Sequence, residues 1–238
     1  MNQVRRGFVV AAALAAVTSP WWGPAALRPL TFFGVRRVEV AGARYLAPEA
    51  VVRGLGLGPE ASVFDDLDAL AARVRAMGGV ADARVQRRLP ATLRVEIREV
   101  GPVALAEGPG GLVPVARDGR PLPFDATASP VDAPVVPHAD RRLLEALATV
   151  QATDLTLYAS IAAASLTRGG EVVLELNGGR VRLAMPVEPA VVCAVAAVRS
   201  DLVARRLAWR ELDGRFSGWV VVRKAPQAPT ARRGVGAA

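Results

Sequence analysis

Val80-Ala81-Asp82-Ala83-Arg84-Val85-Gln86-Arg87-Arg88-Leu89-Pro90-Ala91-Thr92-Leu93-Arg94-Val95-Glu96-Ile97-Arg98-Glu99-Val100 is the stretch whose reading decides the fold. From Thr92 the pattern has period two. Leu93, Val95 and Ile97 fall on one side and Thr92, Arg94, Glu96 and Arg98 on the other, as in a strand with one buried face. Leu89-Pro90-Ala91 breaks the alternation and reads as a turn, which makes Val80 to about Arg87 the preceding strand.

Toward the N-terminus, Gly78-Gly79 ends a helix predicted from about Asp65 to Met77, in which Leu67, Leu70, Val74 and Met77 recur at helical spacing. Three aspartates load its start, where the helix dipole favours negative charge. Pro48-Glu49 opens a shorter helix, since proline is preorganised at the first helical position, and Gly54, Gly56 and Gly58 stop it. Val35 to Ala41 alternates as a first strand, with Val38 and Val40 inward, and Gly42 breaks it. The order β-α-α-β-β closes near Gly101-Pro102.

Beyond that boundary, Val103 to Pro137 is rich in proline and glycine, with Asp118-Gly119 as a turn signal. Asp140 is a predicted N-cap for a helix carrying Leu143, Leu144 and Leu147. Strands are expected at Ile161–Thr167, Glu171–Leu176 and Arg180–Ala184, the last two joined by the hairpin signal Asn177-Gly178-Gly179. Glu188-Pro189 opens a helix bearing Val191, Val192, Val195, Val198 and Leu202. Two final strands, Leu207–Leu212 and Phe216–Arg223, read as joined through Asp213-Gly214. The aperiodic stretch from 225 to 238 is expected to be a disordered tail.

At 238 residues and 52% hydrophobic, the chain can fill a core; with aromatics at only 5%, that core must come from Ala, Val and Leu. The formal net charge is +8, carried almost wholly by arginine, with Lys224 the one lysine. Most arginines alternate with Glu or Asp, as in Arg36-Arg37-Val38-Glu39, which describes solvated strand faces. Without interleaved aromatics there is no stacking platform for nucleic acid. Cys193 stands alone, which excludes an intramolecular disulfide and a cysteine zinc site; in its apolar helical setting it reads as a small core residue.

Gly7 to Leu27 holds no charged residue, and its 21 residues suffice to cross a bilayer core at 1.5 Å per residue. Arg5 and Arg6 precede it and would stay in the cytoplasm, placing the remainder outside; Trp21 and Trp22 fit the outer interface. The competing reading is a cleaved signal peptide with Phe8 to Val17 as its apolar core.

Several runs resemble the polypeptide-transport-associated (POTRA) domain of the bacterial cell-division family FtsQ/DivIB. They are Val35-Arg36-Arg37-Val38-Glu39-Val40-Ala41-Gly42, Val63-Phe64-Asp65-Asp66-Leu67, Val80 to Val95, and Glu99-Val100-Gly101-Pro102-Val103-Ala104. Glu211 to Arg223 looks like that family's final hairpin. One departure is Met77-Gly78-Gly79-Val80, which lacks the aromatic the family usually shows at this bend and predicts a looser helix end. The expected fold class is α+β: a single N-terminal transmembrane helix, a POTRA domain (β-α-α-β-β), then a mixed-sheet β domain with flanking helices. The expected division is a cytoplasmic tip 1–6, anchor 7–27, POTRA domain 33–101, β domain 102–224 and tail 225–238.

The resemblance implies a non-enzymatic scaffold of the divisome, single-pass in the plasma membrane at the septum, recruiting or linking septal division proteins. Its implied partners are FtsB-like and FtsL-like coiled-coil proteins, with no cofactor and no nucleic acid. It places partner binding on the last strands, here Arg215, Phe216, Ser217, Gly218, Trp219, Val220 and Val221, by addition of a strand to an exposed sheet edge. Gly218 would admit a close backbone and Phe216 and Trp219 would anchor it; the other reading makes Trp219, Val220 and Val222 strand core facing the Val191–Val198 helix. An alternative function for the whole chain is a POTRA protein of outer-membrane assembly or secretion, although only one such unit is legible. An anchored hydrolase is disfavoured: His138 is the single histidine and no Gly-x-Ser-x-Gly elbow accompanies it. Asp65, Asp66 and Asp68 lack the spacing of a calcium loop, and no Lys-Ser/Thr follows Gly54, Gly56 and Gly58.

Overall fold

The structure is a computed structural model of the chain and describes residues 30–124, 131–216 and 218–224. The expected anchor and tail lie outside the described residues. Among the described residues, no helix is long and apolar enough to cross a membrane. The chain divides into two compact units: the described residues of the first are 30–100 with 123–124, and the second takes the rest from 101 onward.

In the first unit, a 3-10 turn at Thr31–Phe33 leads into β1 (Arg37–Ala41), then α1 (Pro48–Gly54), α2 (Leu67–Arg75), β2 (Val80–Arg88) and β3 (Thr92–Glu99). The sheet order is β1-β3-β2, with β1 parallel and β2 antiparallel to β3. Leu93, Val95 and Ile97 are buried with Val51, Leu70 and Val74 of the helices and with Leu55 just after α1, while Arg37, Thr92, Arg94 and Arg88 lie on the open face. Asp66 caps α2 by accepting from the N–H groups of Asp68 and Ala69, which accounts for the acidic start. Glu99 closes the unit: its carboxylate accepts from the backbone N–H groups of Arg44, Tyr45 and Leu46 at 2.8–3.1 Å. Arg73 spends its Nη1 on the carbonyl of Leu55 at 3.0 Å in the glycine-rich loop.

The bend after α2 is covered from a distant point of the chain. Phe124, 6% exposed, stacks on Tyr45 with ring centroids 5.1 Å apart, and Pro123 lies over Gly78. The aromatic missing from Met77–Val80 is therefore supplied by Phe124, and the helix end is covered rather than loose. Gly79 has φ +83, and a Cβ there would meet the Phe124 ring at 2.8 Å.

The second unit is an eight-stranded mixed sheet in the order β11-β10-β9-β8-β7-β6-β4-β5. Its strands are β4 (Ala104–Gly108), β5 (Gly111–Val115), β6 (Val135–Val136), β7 (Ile161–Leu166), β8 (Val172–Leu176), β9 (Gly179–Leu183), β10 (Trp209–Phe216) and β11 (Trp219–Lys224). Helices α3 (Arg141–Thr153, capped by Asp140) and α4 (Leu155–Ala159) precede β7, and α5 (Pro189–Ala204) carries the parallel crossover from β9 to β10. Leu143, Leu144, Leu147, Val192, Val195 and Leu202 bury against Leu174, Val181, Leu183 and Leu212. Tyr158 donates its hydroxyl to the Val103 carbonyl at 2.9 Å.

Two expectations are corrected here. Asp213-Gly214 is not a turn: β10 runs through it to Phe216, and the reversal comes after Phe216, with Gly218 at φ +79. Gly214 is needed for close packing instead, because a Cβ would meet Val195 at 3.0 Å and Leu183 at 3.1 Å. Cys193 is exposed, not core; α5 turns Val192 and Val195 inward and leaves the thiol on its outer side. Short α4 was not anticipated.

Gly79→Ala is expected to cost about 1–3 kcal/mol, since it combines a left-handed backbone with a clash against Phe124, whereas Gly78→Ala should stay within about 0.5 kcal/mol. Native-state hydrogen exchange of the β2 and β3 amides measures both.

Candidate partner-docking edge

The hairpin β10–β11 forms one margin of the large sheet, and β11 is its terminal strand. Val220 and Val222 point inward and pack on the core beside α5. Their neighbours face away: Trp219 is 77% exposed and Val221 44%, and Phe216, paired with Trp219 across the turn, is 51% exposed. The two readings of this strand are thus divided by residue, with the valines at 220 and 222 serving the core and Trp219 left in solvent. Ser217 lies outside the described residues. The opposite margin, β5, includes Pro114, which has no N–H to offer an added strand; β11 contains no proline and no glycine.

A charge network on the open face of the sheet fixes this margin. Asp213, 1% exposed, pairs with Val221 in register and accepts a forked pair of bonds from Arg215, at 2.8 Å from Nε and 2.6 Å from Nη2. The same guanidinium donates to Glu171 at 2.5 Å, and Arg182 donates to the other oxygen of Glu171. Glu211, 2% exposed, accepts from Arg180 at 2.7 Å, with Arg223 of β11 at 3.4 Å from its second oxygen. Arg215, expected as a partner contact, is thus engaged internally, and its guanidinium lies 5.8 Å from the Phe216 ring centre. The network was not singled out from sequence. Its signal was alternation of charge at every second residue: Arg180 and Arg182 in one strand, Glu211, Asp213 and Arg215 in the next.

The arginines set the protonation of their partners. Hydrogen bonding from Arg215 holds the Asp213 carboxyl below its ordinary value of 3.8 despite burial. Bonds from Arg182 and then Arg215 hold Glu171 below its ordinary 4.5. Arg215 is correspondingly raised by Asp213 and Glu171.

The remaining chemical candidates do not assemble. His138 is exposed in the loop before α3, far in sequence from Cys193 on α5. Among the described residues, no group of three His, Cys, Asp or Glu is placed to hold a metal ion.

The chain thus joins a β-α-α-β-β unit to an eight-stranded mixed sheet that, among the described residues, ends at β11. A family profile described as "POTRA domain, FtsQ-type" matches residues 33–99. The cell division protein FtsQ of Mycolicibacterium smegmatis is 39% identical over 85 residues, covering 35% of this chain and 26% of that protein. The cell division protein FtsQ of Mycobacteroides abscessus is 34% identical over 154 residues, covering 61% of this chain and 48% of that one. Residues 33–99 thus match an FtsQ-type POTRA domain, and the chain, similar to these two proteins, spans about half or less of their length.

Because Asp213 and Glu171 have lowered pKa values in the folded state, their contribution to stability is in force above the ordinary carboxylate values and drains away as the pH falls through the lowered ones. The urea midpoint of the second unit, followed by the buried Trp209, is expected to fall below about pH 4.5. Asp213→Asn should lower the midpoint at neutral pH and flatten this acid dependence.

Proposed function

We propose that the chain is a non-enzymatic scaffold of the divisome, recruiting or linking septal cell-division proteins through β11. The observation that carries this reading is the strand that ends the sheet among the described residues, with Trp219 and Val221 turned outward beside an arginine–carboxylate network. An extended segment of a partner adds to the outer row of N–H and C=O groups, and its side chains cover Trp219 on the open face. The β10–β11 register is already set by the core valines and the ion network, so little ordering is left for binding to offset.

The relatives' designation as cell division proteins supports the setting. FtsB-like and FtsL-like coiled-coil proteins are the proposed partners, with contacts at Phe216, Ser217, Gly218, Trp219, Val220 and Val221; Arg215 acts through the network as a positioning residue. The uncharged run 7–27 is the proposed single-pass anchor in the plasma membrane, with the N-terminus cytoplasmic and the rest extracytoplasmic at the septum. No cofactor, catalytic group or nucleic acid enters this reading.

Binding of the FtsB-like protein from the same cell to the full chain in detergent tests the site. Trp219→Ala is expected to weaken it roughly 30-fold or more, the loss of an exposed aromatic anchor worth about 2 kcal/mol, with the urea midpoint unchanged. Full binding by Trp219→Ala and by Val221→Lys together would remove β11 as the docking strand.

A further inference from the structure

One end of the first unit combines exposed apolar side chains with arginine. Leu30 is 48% exposed, Phe32 59% and Leu89 63%, high values for residues of this size in a chain with so few aromatics. They belong to two segments that hydrogen bonds bring together: the N–H groups of Arg36 and Arg37 both donate to the Ala91 carbonyl, at 2.9 and 3.2 Å, just past Leu89. Exposed arginines surround them. Arg37 and Arg88 both pair with Thr92, which puts them in one row across the three strands at this end of the sheet. Arg36 donates to the Phe32 carbonyl at 3.1 Å, and Arg87 bridges the Val63 carbonyl and the face of Phe64. Phe33 backs the group edge-on to both Phe32 and Phe64.

What this end meets follows from the chain that enters it. The uncharged run ends at Leu27, three residues before Leu30, which at no more than about 3.5 Å per residue places Leu30 within roughly 10 Å of it. Aromatic and long apolar side chains flanked by arginine suit the boundary between acyl chains and headgroups, and guanidinium groups pair with phosphate oxygens. We infer that the Leu30, Phe32 and Leu89 end of the first unit seats in the anionic outer surface of the same bilayer, with Arg36, Arg37 and Arg88 on lipid phosphates. The inference rests on the reading of residues 7–27 as a membrane anchor. Such seating holds the unit against the bilayer instead of leaving it to swing on a tether, and it restricts the directions in which its sheet edges are offered.

The test uses the full chain with Cys193→Ser, reconstituted in vesicles of equimolar phosphatidylglycerol and phosphatidylcholine. An environment-sensitive fluorophore is placed at Leu89→Cys or, as a control, at Ala81→Cys, which lies toward the other end of β2, roughly 25 Å away at about 3.4 Å per residue. Lipids with a nitroxide high on the acyl chain are expected to quench the Leu89 label about threefold more than the Ala81 label, as for a side chain at interfacial depth. Arg37→Glu with Arg88→Glu, or pure phosphatidylcholine, should remove most of that excess. A Leu89 label quenched no more than the Ala81 label, in chain that survives a carbonate wash on the vesicles, overturns the inference while leaving the anchor intact. Excess quenching that ignores both charge reversal and lipid charge overturns the role given to the arginines. Release of the chain by carbonate overturns the anchor reading, and the inference with it.

Discussion

The forked bond between Arg215 and Asp213 is the contact on which the far margin of the large sheet depends. A carboxylate 1% exposed in the middle of a strand is costly unless it is paired and hydrogen-bonded. Here Arg215 satisfies both oxygens, reaches on to Glu171 at the start of β8, and shares Glu171 with Arg182 of β9. Three neighbouring strands are tied across their open face, while Gly214 between the charged residues lets β10 approach Val195 and Leu183 on the other. Loss of Arg215 would leave the buried Asp213 carboxylate without its forked partner, which is the costly outcome.

That constraint shapes the proposed docking edge. β11 is held on its inner side by Val220 and Val222 and along its register by pairing with β10, where Arg223 meets Glu211. The strand reaches the margin of the sheet paired with β10, with shifts of register between Trp209 and Glu211 and between Asp213 and Phe216. What it leaves unsatisfied is one row of backbone groups and an indole that finds no cover within the described residues. The opposite margin carries Pro114 and is blunted.

Much of this was legible in the sequence because it rests on local rules. Period-two alternation in Thr92–Glu99, acidic charge at the start of α2, the capping Asp140, and proline at the first position of α1 and α5 each act over a few residues. What could not be read was non-local. Asp213-Gly214 has turn chemistry, but the turn was overridden by an arginine two residues on and a glutamate forty residues earlier. Phe124 fills a gap at Gly79 that sequence showed only as a missing aromatic. Glu99 appeared as part of a motif, and its work on the N–H groups of Arg44, Tyr45 and Leu46 became visible only with the chain folded. Within the candidate site, Trp219 and Val221 were identified as a pattern, but which alternate residues faced solvent required the sheet's position against α5.

Hydrogen exchange of the full chain, with and without the FtsB-like coiled-coil protein of the same cell, measures the central claim at the backbone itself. Strand addition at this margin predicts slowed exchange of the amides of residues 219–224 on binding, with β5 unchanged. Unchanged amides at 219–224 together with new protection at Gly111–Val115, or anywhere else in the chain, would contradict it.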